Sequence, residues 1–161
     1  MDEQKGFELS EPRFEHGHFF LIAGVGERFT QQTIPRIPAL WEKLMPHLGQ
    51  IPGQKGEVMY GVGFNFDDEG GFDYIAGVEI SKLDDLPDSY RWVEIQPQYY
   101  AVFEHKGPLT SLPQTFRYIC DTWLPQSGYT GADAPEFERY SEDFNPKLNT
   151  GKLEIWLPIK Q

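Results

Sequence analysis

Near the end of this 161-residue chain, Glu154 and Trp156 stand two positions apart in the stretch Leu153-Glu154-Ile155-Trp156-Leu157-Pro158-Ile159. The stretch alternates with a period of two: Leu153, Ile155, Leu157 and Ile159 form an apolar face, while Glu154 and Trp156 share the other. A carboxylate beside an indole suits a cation, since one supplies charge and the other the negative face of its ring. The plainer reading is a solvent-facing strand on which both residues are tolerated, and the stretch alone does not separate the two. Tyr140 and Trp41 are the further candidates. Tyr140 ends the alternating run Glu136-Phe137-Glu138-Arg139-Tyr140, and Trp41 lies on the apolar stripe of a helix, where an indole serves either the core or a groove rim.

Other reactive side chains read as structural. Glu136 and Glu138 alternate with Phe137 and Arg139 and are assigned to a solvated strand face, Glu138 adding negative potential at most to a groove mouth. Glu104 reads as a rim charge, Trp123 as core, and Cys120, within a helical apolar pattern, as a small core hydrophobe. His16 and His18 have no Cys, Asp or Glu at a ligand spacing, so no metal and no cofactor is assigned. No Ser-His-Asp or Cys-His arrangement is recognisable, which argues against nucleophilic catalysis.

A formal net charge of -11 repels phosphate backbones, and no run of Lys or Arg relieves it, so direct nucleic-acid binding is not expected. The lone cysteine forms no internal disulfide, and the sequence shows neither a secretory segment nor a long apolar span. A cytoplasmic protein with no membrane partner is the expectation. The acidic balance also admits a protein partner, approached through a surface that imitates nucleic acid.

The elements that position the candidates follow from periodicity. Met1–Gln4 reads as frayed, Phe7–Phe14 and His18–Val25 as strands, and Thr33–Leu48 as a helix with prolines in its first turn and Gly49 at its end. Glu57–Asn65 and Phe72–Ile80 read as a hairpin around an acidic turn, Asp67–Gly71. After the connector Lys82–Tyr90 the order recurs: strands Arg91–Ile95 and Tyr99–His105, a turn at Gly107-Pro108, a helix from Ser111 or Leu112 to Trp123, a loop Pro125–Pro135, a short strand Glu136–Tyr140, a long turn Ser141–Thr150 and a final strand Lys152–Lys160. The recurrence, at a separation of about eighty residues, indicates a duplicated motif. Aligning Phe72–Ile80 with Gly151–Ile159 sets Ile75 against Glu154 and Gly77 against Trp156, so Gly77 is expected to leave volume for a groove between the repeats.

Four stretches, Ile37-Pro38-Ala39-Leu40-Trp41, Tyr99 to Pro108, Pro135 to Tyr140 and Leu153 to Ile159, resemble the GyrI-like effector-binding domain found in AraC-type and some MerR-type transcription regulators. The resemblance implies an α+β fold, a duplicated strand-helix-strand-strand repeat with pseudo-twofold symmetry, an antiparallel sheet with two main helices, and a central groove. It implies one domain over residues 1–161, with repeat one at about 5–81 and repeat two at about 90–161. It further implies a lipophilic, cationic or aromatic small-molecule ligand, with Glu154 meeting its charge and Trp156 and Tyr140 lining the groove. At this length no room is expected for an appended helix-turn-helix unit, so the reading is a free-standing receptor or sequestering protein, monomeric or weakly dimeric. Two alternatives stay open: a hydrolase of cyclopropane-bearing alkylating compounds, with Glu154 as general base and Tyr140 as proton donor, and a protein-contacting inhibitor of the gyrase-inhibitor kind.

Overall fold

The computed structural model of the protein describes residues 9–106, 108–144 and 151–160. The fraying read for Met1–Gln4, the start of the Phe7–Phe14 strand, Gly107 of the turn before the second helix and residues 145–150 of the long turn lie outside the described residues.

Strands β1 (Arg13–Gly17) and β2 (Phe20–Phe29) lead into α1 (Ile37–Leu44), then β3 (Gln54–Phe64) and β4 (Phe72–Ile80). Strands β5 (Arg91–Ile95) and β6 (Gln98–His105) lead into α2 (Leu112–Tyr118), a π-helical turn (Ile119–Trp123) and α3 (Leu124–Ser127), then β7 (Thr130–Gly131), β8 (Glu136–Tyr140) and β9 (Leu153–Lys160). The described strands pair antiparallel in the order β1-β6-β9-β8-β3-β4-β2-β5, with β7 on β9. This order reads the same from either end once the repeats are exchanged, and the edges are reciprocal: β1 completes the second repeat on β6, and β5 completes the first on β2.

The ladder registers locate the symmetry axis. Ala76 in β4 occupies the place that Ile155 takes in β9. Ala76 faces Gly61, Ile155 faces Glu138, and Gly61 and Glu138 face each other where the repeats meet, so the axis passes through that last pair.

Three apolar clusters follow from strand alternation. Leu40 and Leu44 of α1 pack on Ala23, Tyr74, Ala76, Val78 and Ile80, and Ile119 on Ala101, Phe103, Ile155, Leu157 and Ile159, so both helices lie on one face of the sheet. The other face carries Ile22, Tyr60, Val62, Ile75, Tyr100, Val102 and Phe137. Although β3 and β4 lie between β2 and β8, the rings of Phe20 and Phe137 are 5.7 Å apart. At nearly 5 Å per strand this requires a strongly curved sheet whose helix-free face buries itself.

Several expectations are corrected. The first strand begins only after Pro12, whose missing N–H cannot serve a ladder. Strand β2 runs through Gly24 and Gly26, because Gly24 sits directly against Gly77 and a Cβ on either would strike the backbone of the neighbouring strand. Gly77 therefore closes β2 onto β4 and opens no groove. The second helix continues past Pro125, which stands in the first turn of α3 just after the π turn, where the helical ladder is already interrupted.

Candidate functional site

Because α1 covers β2 and β4 while α2 covers β6 and β9, the central ladder β3–β8 lies between the helices. Its helix-side face carries Gly61 and Gly63 from β3 and Glu136, Glu138 and Tyr140 from β8, with Tyr74 from β4 facing Gly63. Glu138 is 8% exposed and its Oε1 accepts two phenolic hydrogen bonds, from Tyr74 at 3.0 Å and from Tyr140 at 2.8 Å. Trp41 Nε1 on α1 donates to the Tyr74 hydroxyl at 3.1 Å, and the Trp41 ring meets Tyr140 edge to face at 5.0 Å. Phe144 extends this wall, 4.9 Å from Tyr140. A side chain at Gly61 would collide with the Tyr74 hydroxyl and approach Glu138 Oε1 to 2.8 Å, so the glycine is what admits both groups.

Burial pushes the Glu138 carboxyl up to about 7, against the two phenol bonds that favour its charge. Burial, and then the charge of Glu138, also pushes Glu136 up to about 7. Both tyrosines are shifted upward, first by burial and then by the neighbouring Glu138 charge, so they stay protonated as donors. The arrangement is a chain of donors, Trp41 to Tyr74 to Glu138 and Tyr140 to Glu138, ending on one carboxylate oxygen among the aromatic rings of Trp41, Tyr74 and Tyr140.

Of the side chains singled out in the sequence, Trp41 and Tyr140 meet here. Glu154 and Trp156 lie on the opposite face, facing Arg139 and Phe137 across the β8–β9 ladder. Glu154 does pair with an indole and a cation, but the cation is the chain's own: Glu154 Oε2 accepts from Arg13 Nη1 at 2.7 Å and Oε1 from Trp156 Nε1 at 3.1 Å, with Arg139 at 3.9 Å. The Arg13 guanidinium lies over the Trp156 ring at 5.7 Å. Burial raises the Glu154 carboxyl, yet the bonds from Arg13 and Trp156 outweigh it and hold the group below the usual carboxylate range. The solvated face read for Glu136 and Glu138 is corrected, since it is the face that turns to the helices. The signal that could have found Glu138 was Gly61-Val62-Gly63, two glycines at strand spacing on the facing strand. Cys120, read as core, is exposed in the π turn.

Among the described residues, no three His, Cys, Asp or Glu side chains are placed to hold a metal ion, and no helix is long and apolar enough to cross a membrane.

The sequence of BrlR, a transcriptional regulator of Pseudomonas aeruginosa, is 29% identical over 142 residues, covering 87% of this chain and 52% of that protein, so this chain spans about half the length of that relative. The fold is similar to that of SAV2435 solved bound to tetraphenylphosphonium (TM-score 0.76, 20% identity, 94% of each chain covered). It is also similar to a putative bacterial transcription regulation protein from Staphylococcus aureus (TM-score 0.70, 21% identity, covering 94% of this chain and 99% of that one). The model of the GyrI-like small molecule binding domain matches residues 10–160, and with the duplicated antiparallel sheet in agreement, the chain belongs to that family.

Proposed function

We propose that the protein is a receptor for lipophilic, cationic aromatic compounds, which enter the groove between α1 and α2 and place their charge at Glu138. The observation that carries this reading is the Glu138 carboxyl itself: buried, held by two phenols on one oxygen, and ringed by Trp41, Tyr74, Tyr140 and Phe144. Such a group has lost its water and gains a counter-charge when an organic cation arrives, while the rings add about 0.5 to 2 kcal/mol per good cation–aromatic contact. Trp41 and Tyr140 line the groove. Glu154 and Trp156 act at a distance, tying β9 to β1 and β8 through Arg13 and Arg139. The tetraphenylphosphonium bound by SAV2435 is a ligand of the class this groove suits.

Titration of the purified protein with tetraphenylphosphonium and with neutral triphenylphosphine oxide tests the reading. Glu138→Gln should weaken the cation about tenfold or more, which is about 1.4 kcal/mol, and the neutral compound about twofold or less. Equal losses for both would remove the charge from the argument.

One observation favours a second reading. Both phenols bond Oε1, so Glu138 Oε2 takes no hydrogen bond from the described residues and is available to a water. A carboxylate near neutrality is suited to general-base work. It would take a proton from that water, whose oxygen bonds to a strained cyclopropane carbon of the substrate. The breaking ring bond sends its electron pair to a conjugated carbonyl oxygen, and Tyr140 protonates that oxygen. In this hydrolase reading the base is Glu138, since Glu154 is committed to Arg13. Mass spectrometry of a cyclopropane-bearing alkylator incubated with wild type and Glu138→Gln decides it: water addition undiminished in the variant excludes the base, and intact bound compound excludes turnover.

A further inference from the structure

The groove holds a second acid that the reading above does not use. Glu136 precedes Glu138 by two residues on β8, so both side chains leave the same face with their Cα atoms about 7 Å apart. Their surroundings differ. Glu138 is bound by Tyr74 and Tyr140, whereas Glu136 makes no hydrogen bond or ion pair among the described residues. Its register partner is Gly63, so β3 sets no facing side chain against it. Phe66 lies across that glycine, so near that a Cβ there would meet the ring at 3.2 Å and Glu136 Cγ at 3.8 Å. Phe66 is itself half exposed and continues to Phe72 at 5.6 Å, and Cys120 in the π turn lies close enough for the Glu136 charge to act on its thiol. The charged groups that act on Glu136 and Cys120 here are Glu138, Glu136 and Asp121, all acidic. Glu136 is thus only partly exposed, close to Glu138, and paired with no cation among the described residues.

We propose that Glu136 is a specificity-determining residue that gives the groove a second cation subsite, so that it selects elongated aromatic ligands carrying two cationic centres, one at Glu138 and one at Glu136 beside Phe66. This rests on the reading of the groove as a cation site. Two carboxylates this close oppose each other's ionisation, and one cation relieves only one of them. A dication relieves both, and the Phe66 ring supplies an aromatic face for the second charge.

Ethidium and propidium share one phenanthridinium ring system, and propidium adds a second quaternary ammonium on a short chain. Fluorescence anisotropy titrations of the full chain at moderate and high salt should show propidium binding about tenfold or more tighter than ethidium. Glu136→Gln should erase that advantage while moving ethidium affinity about twofold or less, and Asp84→Asn, a change of equal charge in the exposed connector, should keep it. Equal affinity of wild type for the two dyes, or an advantage that survives Glu136→Gln, overturns the second subsite. In either of those outcomes ethidium binding that still depends on Glu138 leaves the first reading standing. Failure of both dyes to bind overturns the two together.

Discussion

Gly61 and Glu138 face each other across the β3–β8 ladder, and the pseudo-twofold axis of the duplicated fold passes between them. One repeat therefore places an acid where the other places no side chain, so the duplicated scaffold is asymmetric at its own axis. Gly61→Ala should expel the Tyr74 hydroxyl and Glu138 from their shared position, because the new methyl would meet both. Since these are side-chain ends that can move, the expected cost is about 1 to 2 kcal/mol of stability and about tenfold or more in tetraphenylphosphonium affinity. Gly77→Ala meets the Ala23 backbone instead, and the β2–β4 ladder cannot give way. It should cost about 3 kcal/mol or more in stability. Denaturant melts and ligand titrations of both variants check the contrast, and it fails if Gly61→Ala binds as wild type does.

On the opposite face, Glu154 is 7% exposed and depends on Arg13 for its charge, whereas Arg13 is half exposed. Glu154→Gln keeps the Trp156 bond and leaves Arg13 to water, so it should cost about 1 kcal/mol. Arg13→Met strands a buried carboxylate with Trp156 and the more distant Arg139, and should cost about 2 to 3 kcal/mol. Neither should change cation affinity more than about twofold, since both sit across the sheet from the groove. A tenfold loss of binding in Glu154→Gln would return that residue to the site.

What was legible in the sequence and what was not separates by the range of the interaction. Strands β4, β5 and β8 lie where their alternation put them, because burial of one face is a local property of the run. The neighbourhood of Glu154 and Trp156 was equally local. That Arg13, 141 residues away, supplies their cation was not, since β1 reaches β6 only through the exchange of edges between repeats. Glu138 was misread because alternation tells which residues share a face and not which face is covered. Its two charged positions looked solvated until Gly61 and Gly63 were set against them. The helix beyond Pro125 escaped for another reason: proline breaks a regular helical ladder, and here a π turn had already broken it.

Tyr100 on β6 is 1% exposed, and its hydroxyl has no hydrogen-bond partner among the described residues. Burial pushes this phenol up to about 12, and its ring is held edge to face by Phe137 and Trp156 at 5.4 Å each. An unsatisfied buried hydroxyl costs stability that the ring packing must offset. Tyr100→Phe should therefore be neutral or stabilising by up to about 1 kcal/mol in a denaturant melt. Destabilisation by more than that would mean the hydroxyl has a partner, such as a bound water.

The raised groove acids set the sign of the pH dependence. In the unfolded chain Glu138 loses its proton near the ordinary value of 4.5, and in the folded protein near about 7. Folding thus favours the protonated form, so its contribution is fully present below pH 4.5 and is lost as pH rises to about 7, by on the order of 3 kcal/mol. Glu136 acts in the same window and direction. Glu154 is lowered and acts oppositely, its stabilisation being lost as pH falls below 4.5. The unligated protein should therefore lose stability between pH 5 and 8, and Glu138→Gln should flatten that fall. Tetraphenylphosphonium needs the ionised acid, so its affinity should rise with pH and level off above about 7. Its binding at pH 6 should release protons, seen as a dependence of the calorimetric heat on the ionisation enthalpy of the buffer. A pH-independent affinity between 5 and 8, with no proton release, would mean that Glu138 is already ionised in the empty groove and that burial does not govern the site.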